Sequence, residues 1–494
     1  MKLWRALGSY PTIWLALDGL MQQAIWLLLF IILAPILGPK PYGLFTIVMA
    51  FIGLCEMVIV GATVESLVTI PDATDSHLRT ANLTTVITAL VAAAAVFAAA
   101  PTMAIFFDAP DLEQLFRVLA PLPVISALTA TPIAVLSRKM QFRALALRSI
   151  MGLLAGGVVA VVLAWHGAGV WALVAQVLVQ RCTELAILWA SAHTRLGFEW
   201  SHSNFRDLRG YAISVVVSKG MAWSGSQIPR IILGWYLGPA DLGLFALAGR
   251  MIDFVTQIFI VPRSAVARLM LRPFADDPAK FAEAFQLVLR QIAILSFAVC
   301  CGLAAIMPTL FAALLDQRWQ AGILAAQLMV LTGIPLTFYY CFTAAMLAAR
   351  RPHLDSQIAV AVNATSALAV LLAASHGLYA ACAAMLAQRV VMLPAPLIML
   401  RRVAGISFVA VIWAQLPVLG AAAVMGWIVV LLTPLTQMRF GQSLTAPILI
   451  VTGAAIYMPL ALLAAPDITK LLFKRALAVM NLGGRYRDNP NANR

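Results

Sequence analysis

The sequence predicts an all-α polytopic membrane protein: about 14 transmembrane helices in two pseudo-symmetric six-helix lobes, related by a parallel repeat, followed by two C-terminal helices. Three observations carry that expectation. The 494 residues are 62% hydrophobic and only 11% charged, with a mean hydropathy of +0.93, whereas soluble domains carry roughly 25% charged residues. Apolar runs near the ~20 residues that a spanning helix needs recur along the whole chain. Finally, Leu37 to Phe45 reads LGPKPYGLF and Leu237 to Phe245 reads LGPADLGLF, matching at six of nine positions 200 residues apart, which marks an internal repeat.

Taken in order, the apolar runs cover 13–33, 42–62, 83–103, 115–137, 147–165 and 170–192 in the first lobe, 1–200. Those of the second lobe, 201–402, cover 211–236, 241–262, 285–312, 321–346, 356–374 and 378–400. Two more, 407–432 and 446–466, fill 403–466; residues 1–12 form a short basic lead and 467–494 a basic tail. Gly38-Pro39 and Gly238-Pro239 each end one helix and open the next. Later pairs keep the register: Pro71 with Pro273, Phe106 to Asp108 with Leu314 to Asp316, Arg138-Lys139 with Arg350-Arg351, His166-Gly167 with His376-Gly377, and Gln180-Arg181 with Gln388-Arg389. Each lobe holds an even number of helices, so the two copies share one orientation. Transporters with parallel repeats have this plan and rock two bundles around a central site, giving alternating access.

A net charge of +14 and a pI near 9.9 raise nucleic acid as a partner, but the distribution of the charge excludes it. The loop cations crowd onto one side, among them Arg79, Arg138, Lys139, Arg143, Arg206, Arg209, Arg268, Arg272, Arg350, Arg351, Arg401 and Arg402, while the opposite loops hold only Lys40, Arg318 and Arg439. By the positive-inside rule both termini are expected in the cytoplasm. The first apolar run is a full span carrying Asp18, without a small-residue cleavage pattern, so it is expected to stay as helix one. The six cysteines sit in apolar spans without a C-x-x-C pair and read as small buried hydrophobes. The sequon at Asn363 falls inside a span and reads as a chance match. No H-E-x-x-H, Gly-rich phosphate loop or nucleophile elbow occurs. The expectation is therefore no enzyme, no metal and no cofactor, with transport driven by an ion gradient or the membrane potential.

An ionisable side chain at mid-membrane costs roughly 2.5–3.5 kcal/mol on insertion scales, so those present point to protein or water-filled cavities. On helix seven, Lys219, Trp223, Ser226, Gln227 and Arg230 follow one another at three- or four-residue steps and make one polar, cationic face. Pro229 interrupts that helix beside Arg230. Its repeat partner, helix one, carries Trp14, Asp18, Gln22 and Trp26 at strict four-residue spacing. Helix eight adds Arg250 and Asp253 and helix two adds Glu56, so the second lobe's central pair is cationic and the first lobe's acidic. Plain structural roles stand beside these: Arg250 with Asp253, and Arg181 with Glu184, have the i, i+3 spacing of a mutually neutralising pair, and Lys219 and Asp18 lie toward the cytoplasmic thirds of their helices, where a charged group can snorkel to the interface.

The Gly-Pro-x-x-x-Gly-Leu-Phe turns after helices one and seven, the segment RIILGWYLGPADLGLFALAGRM from Arg230, and the duplicated 6+6+2 plan together resemble the Wzx-type polysaccharide flippases of the multidrug/oligosaccharidyl-lipid/polysaccharide exporter superfamily. Members of that family commonly carry an Asp-Arg pair ahead of the second turn; here Arg230 is kept and Pro229 stands in the acid's place. The resemblance implies movement of an undecaprenyl-diphosphate-linked oligosaccharide from the cytoplasmic to the periplasmic leaflet for exopolysaccharide or lipopolysaccharide synthesis. The partners implied are membrane lipids, the lipid-linked oligosaccharide, and polysaccharide polymerase and glycosyltransferase machinery. A diphosphate crossing a low-dielectric region needs cations, and arginine can bind its oxygens two at a time. Lys219, Arg230 and Arg250 are the expected substrate contacts, Gln22, Trp223 and Gln227 the polar and aromatic lining, and Asp18, Glu56 and Asp253 the groups for ion coupling. Two alternatives remain at this point: a multidrug exporter of the same superfamily, whose site would be rich in carboxylates and aromatics, and a peptidoglycan lipid-precursor flippase.

Overall fold

The structure, a computed structural model, describes residues 11–70, 73–192 and 197–466. The basic lead up to Tyr10, Pro71, Arg195 and the basic tail from Asp467 lie outside the described residues. Among the described residues every regular element is a helix. The spanning helices are α1 (Pro11–Leu37), α2 (Pro39–Thr69), α3 (Asp75–Phe106), α4 (Asp111–Arg138), α5 (Phe142–Trp165), α6 (Val170–Ala192), α7 (202–237) and α8 (239–274). They continue with α9 (Pro278–Leu314), α10 (Gln317–Ala348), α11 (Pro352–Ala374), α12 (Leu378–Val403), α13 (Phe408–Gly441) and α14 (Leu444–Ala464).

Thirteen stretches among the described residues are long and apolar enough to cross a membrane. One of them, Trp223–Phe274, runs for 52 residues. At 1.5 Å per residue it would be ~78 Å long, more than twice the ~30 Å of a hydrocarbon core. Gly238 breaks it, with φ 78° and ψ 178°, so it is two spans back to back, and the expected fourteen follow.

The internal repeat is written in the backbone. Gly38 has φ 76° and ψ 175°, the same left-sided conformation as Gly238 200 residues later, which a residue with a Cβ adopts only under strain. Positive φ recurs at Met140 (55°) and Arg350 (58°), 210 residues apart, which moves that loop pair two residues from the Arg138-Lys139 with Arg350-Arg351 register read in the sequence, and at Gly167 and Gly377, aligned as expected. A π-helical turn at Met57–Gly61 in α2 is matched by one at Thr256–Ile260 in α8. Such turns are rare and tend to mark functional positions in helices.

The described residues form two compact units. Of the described residues, one unit takes those within Met1–Arg250, Leu314–Ala325 and Ala359–Met385, and the other those within Met251–Ala313, Ala326–Ile358 and Leu386–Arg494. In the first, α5 and α6 pack closely because Gly152 and Gly156 are one turn apart on α5, the small-xxx-small pattern by which membrane helices bring their backbones together. A Cβ at Gly152 would lie 2.6 Å from Glu184 Cγ and 3.0 Å from the Gln180 carbonyl oxygen. Leu29 and Leu33 of α1 and Leu153 and Ala160 of α5 share the adjoining apolar cluster. In the second unit, Ile306 of α9 packs with Val429 of α13 and Leu449 of α14.

Candidate functional site

The two repeated turns meet in the first unit. Gly43, one turn into α2, lies against the Pro239 carbonyl, and Gly243, at the same place in α8, lies against the Pro39 carbonyl. Neither position has room for a Cβ, because the facing atoms are backbone. A strap reaches the same end of α1: Trp319 Nε1 donates to the Ala34 carbonyl at 2.9 Å and Arg318 Nη2 to the Pro35 carbonyl at 2.7 Å. Both come from the 3-10 turn Gln317–Gly322 that opens α10. Trp319 is fully buried and packs edge-on against Phe30 and Tyr42.

Next to these turns α1, α2, α6, α7 and α8 enclose a pocket of about 170 Å³. Its polar lining is Tyr42, Thr46, Gln176, Gln227, Arg230 and Arg250, and Trp26 faces them from α1. Arg230 Nη1 donates to Gln227 Oε1 at 3.2 Å, one turn away on α7. The Arg250 guanidinium carbon sits 4.7 Å from the centre of the Trp26 ring, within the ~6 Å reach of a cation–π contact. Gln176 is only 3% exposed, and its amide nitrogen has no hydrogen-bond partner in the protein, so it is a donor in want of an acceptor. Two guanidinium groups, an amide donor and an indole face in one pocket form an arrangement suited to phosphate oxygens and to sugar.

Of the residues singled out from sequence, Trp26, Gln227, Arg230 and Arg250 therefore come together. The others lie elsewhere. Lys219 Nζ pairs with Glu65 of α2 at 2.9 Å, its stem passing over Gly61. Gln22 donates to Asp18 at 2.8 Å. The Trp223 indole nitrogen is buried without a hydrogen-bond partner. Asp253 is exposed on α8 in the second unit. Asn363 of α11 donates to the Met221 carbonyl at 3.1 Å, resting where Gly225 leaves no side chain, four residues ahead of Pro229.

Glu56 belongs to a second cluster. Arg181 Nη2 reaches it at 2.9 Å from α6 and Nη1 holds Glu184 at 3.1 Å, so one guanidinium bridges two carboxylates. Ser126 of α4 donates to the other Glu56 oxygen, and Gln180 Nε2 donates to Glu184 Oε1 at 2.9 Å. Arg148 of α5 lies within electrostatic reach of both Glu184 and Asp18. The first lobe's acidic pair thus has its cations supplied by α5 and α6. Sequence reasoning paired Arg181 with Glu184 and left Glu56 without a partner, because the partner is 125 residues away. Gln176 and Tyr42 were missed too. A stripe of Gln176, Gln180 and Glu184 at four-residue steps on α6 was the available signal for the former.

Fold and pocket together define the class: a multi-pass, all-helical membrane protein built on an internal repeat. The chain superposes on a solved structure of the lipid II flippase MurJ in an inward closed conformation with a TM-score of 0.73, at 12% identity, covering 94% of this chain and 99% of that one. It superposes on an inward-facing multidrug resistance MATE family transporter of the MOP superfamily at 0.59, with 15% identity, covering 79% and 95%. At these identities the likeness is one of fold. The family described as polysaccharide biosynthesis protein matches residues 32–324, and the chain belongs to it. It is 26% identical over 313 residues to the succinoglycan biosynthesis transport protein ExoT of Rhizobium meliloti (strain 1021), covering 61% of this chain and 62% of that protein. To the teichuronic acid biosynthesis protein TuaB of Bacillus subtilis (strain 168) it is 23% identical over 273 residues, covering 53% and 55%. The matched stretch thus spans little more than half the length of these relatives.

Proposed function

We propose that the chain is a flippase that carries an undecaprenyl-diphosphate-linked oligosaccharide from the cytoplasmic to the periplasmic leaflet of the bacterial inner membrane by alternating access, moving its substrate without transforming it. The observation that supports this most is the convergence of Gln227, Arg230 and Arg250 with Trp26 in one pocket. A diphosphate entering a low-dielectric space loses its water, and the guanidinium groups replace it with charge-assisted hydrogen bonds. Trp26 and Tyr42 add aromatic surface to the wall of the pocket.

The second unit has an apolar surface of its own. A groove of about 590 Å³ runs among α8, α9, α13 and α14, walled by Phe254, Phe259, Leu303, Met425, Val429 and Leu449. The two helices beyond the duplicated lobes contribute half of its lining.

In this reading the termini face the cytoplasm, Asp18 and Glu56 are groups for ion coupling, and the polymerase and glycosyltransferases of the same polysaccharide are partners. A multidrug exporter of cationic compounds fits less well, because Glu56 and Glu184 already hold Arg181 and the pocket near Trp26 is cationic. Cells lacking the chain are the test: labelling lipid-linked glycan from each side of spheroplast membranes should find it stranded on the cytoplasmic leaflet. An unchanged leaflet distribution, with polymer still made, would overturn the proposal.

A further inference from the structure

On the arginine-rich side of the first unit a cleft of about 300 Å³ lies among α2, α3 and the first turns of α7. Ile213 and Val217 on its α7 wall are 57% and 58% exposed, as side chains facing lipid are. Its α2 and α3 walls carry Thr63, Ser66, Thr84, Thr85 and Thr88. Ser66, Thr84 and Thr88 donate to carbonyls of their own helices at 2.7–2.9 Å, and Thr63 and Thr85, each beside a carbonyl of its own helix, also share a hydrogen bond with each other at 2.8 Å. Their protons are taken up within the protein, which leaves Arg209 as the side-chain donor in the cleft for an anionic oxygen.

The one cationic group lining the cleft is Arg209, with Arg206 one turn before it. Of the acids nearby, Glu65 pairs with Lys219 and Glu199 with Arg79 at 3.3 Å, while Asp207 lies 3.8 Å from His77 and pairs with it when that imidazole is protonated. Among the described residues no carboxylate pairs with Arg206 or Arg209. From Arg209 to Val217 the cleft climbs eight residues of α7, ~12 Å, which is about one leaflet of a ~30 Å hydrocarbon core. That depth suits an acyl chain of a bilayer lipid and is short for a polyprenyl chain.

We infer that this cleft is a binding site for an acidic glycerophospholipid of the leaflet at the arginine-rich side, its phosphate on Arg209 and one acyl chain between α2, α3 and α7. The bound lipid braces α7, the helix that carries Arg230, against α2 at the level of the Lys219–Glu65 pair. The site stands apart from the substrate pocket and does not depend on what that pocket carries.

The test titrates the purified full chain with phosphatidylglycerol and with phosphatidylcholine and counts bound lipids by native mass spectrometry. One basic residue beside an anionic lipid headgroup contributes about fivefold in affinity. Arg209→Ala should weaken phosphatidylglycerol about fivefold and leave phosphatidylcholine unchanged, Arg209→Lys should keep most of the preference, and Arg272→Ala, outside the cleft, should change nothing. Ala212→Trp, which fills the cleft, should lower retention of both lipids; if that variant melts early, the Arg209 series carries the test by itself. Phosphatidylglycerol binding untouched by Arg209→Ala, or a polyprenyl phosphate that displaces phosphatidylglycerol at equal concentration, would overturn the assignment.

Discussion

Gly43 packs against the carbonyl of Pro239, and the repeat returns the contact through Gly243 and Pro39. The facing atoms are backbone and cannot swing aside as a side chain does. A Gly43→Ala substitution therefore has to push the two turns apart, at the ~1–3 kcal/mol typical of overpacking. Its melting temperature in detergent should fall, and Gly243→Ala should fall by a similar amount. A melt unchanged in both would show that the turns are not held together.

Trp319 tests the strap on α1. Its side chain is fully buried against Phe30 and Tyr42, so Trp319→Ala should cost ~3–5 kcal/mol. Trp319→Phe keeps most of that packing and loses the bond to the Ala34 carbonyl, which still accepts from the Gly38 amide at 2.9 Å. The cost should then be only ~0.5–1.5 kcal/mol. Equal losses in the two variants would place the stabilisation in the hydrogen bond instead of the ring.

Arg181 is the keystone of the acidic cluster. Removing it leaves Glu56 and Glu184 facing each other in a site with little water, a change of ~3–5 kcal/mol. Arg181→Ala should unfold at a markedly lower temperature, and adding Glu56→Gln should recover part of the loss, since one of the two stranded charges is gone. A double variant no more stable than the single one would contradict the bridging role.

Lys219 should behave unlike the pocket arginines. Its partner is Glu65 and both side chains are well exposed, so Lys219→Ala should alter stability by ~0–1 kcal/mol. Flipping should persist at a reduced rate. Abolished flipping in a folded Lys219→Ala protein would put Lys219 on the substrate's path.

What the sequence makes legible is whatever is local. Fourteen apolar stretches can be counted because each span is continuous, and the Gly38 and Gly238 breaks are visible because glycine is what a positive φ calls for. Gln227 and Arg230 could be grouped with Arg250 because helical spacing and the repeat carried them to the same face of neighbouring helices. What stays hidden is pairing at long separation. Trp319 meets Ala34 across 285 residues and Arg181 meets Glu56 across 125, and no periodicity encodes either. The partner of Lys219 was hidden for the same reason: a stripe on α7 says which residues share a face, not which helix that face meets. Gly152 and Gly156 are a local pattern, but which helix they admit becomes apparent only once α6 is in place.

The most direct measurement concerns Arg230 and Arg250. A charge-assisted hydrogen bond to a phosphate contributes ~1.5–3 kcal/mol, so each Arg→Ala substitution should slow flipping about ten- to a hundredfold. The double variant, reconstituted in vesicles with a fluorescent undecaprenyl-diphosphate-linked oligosaccharide, should show no flipping above protein-free vesicles while its melting temperature stays near that of the parent. Undiminished flipping by the folded double variant would contradict the cationic pocket as the place where the diphosphate crosses.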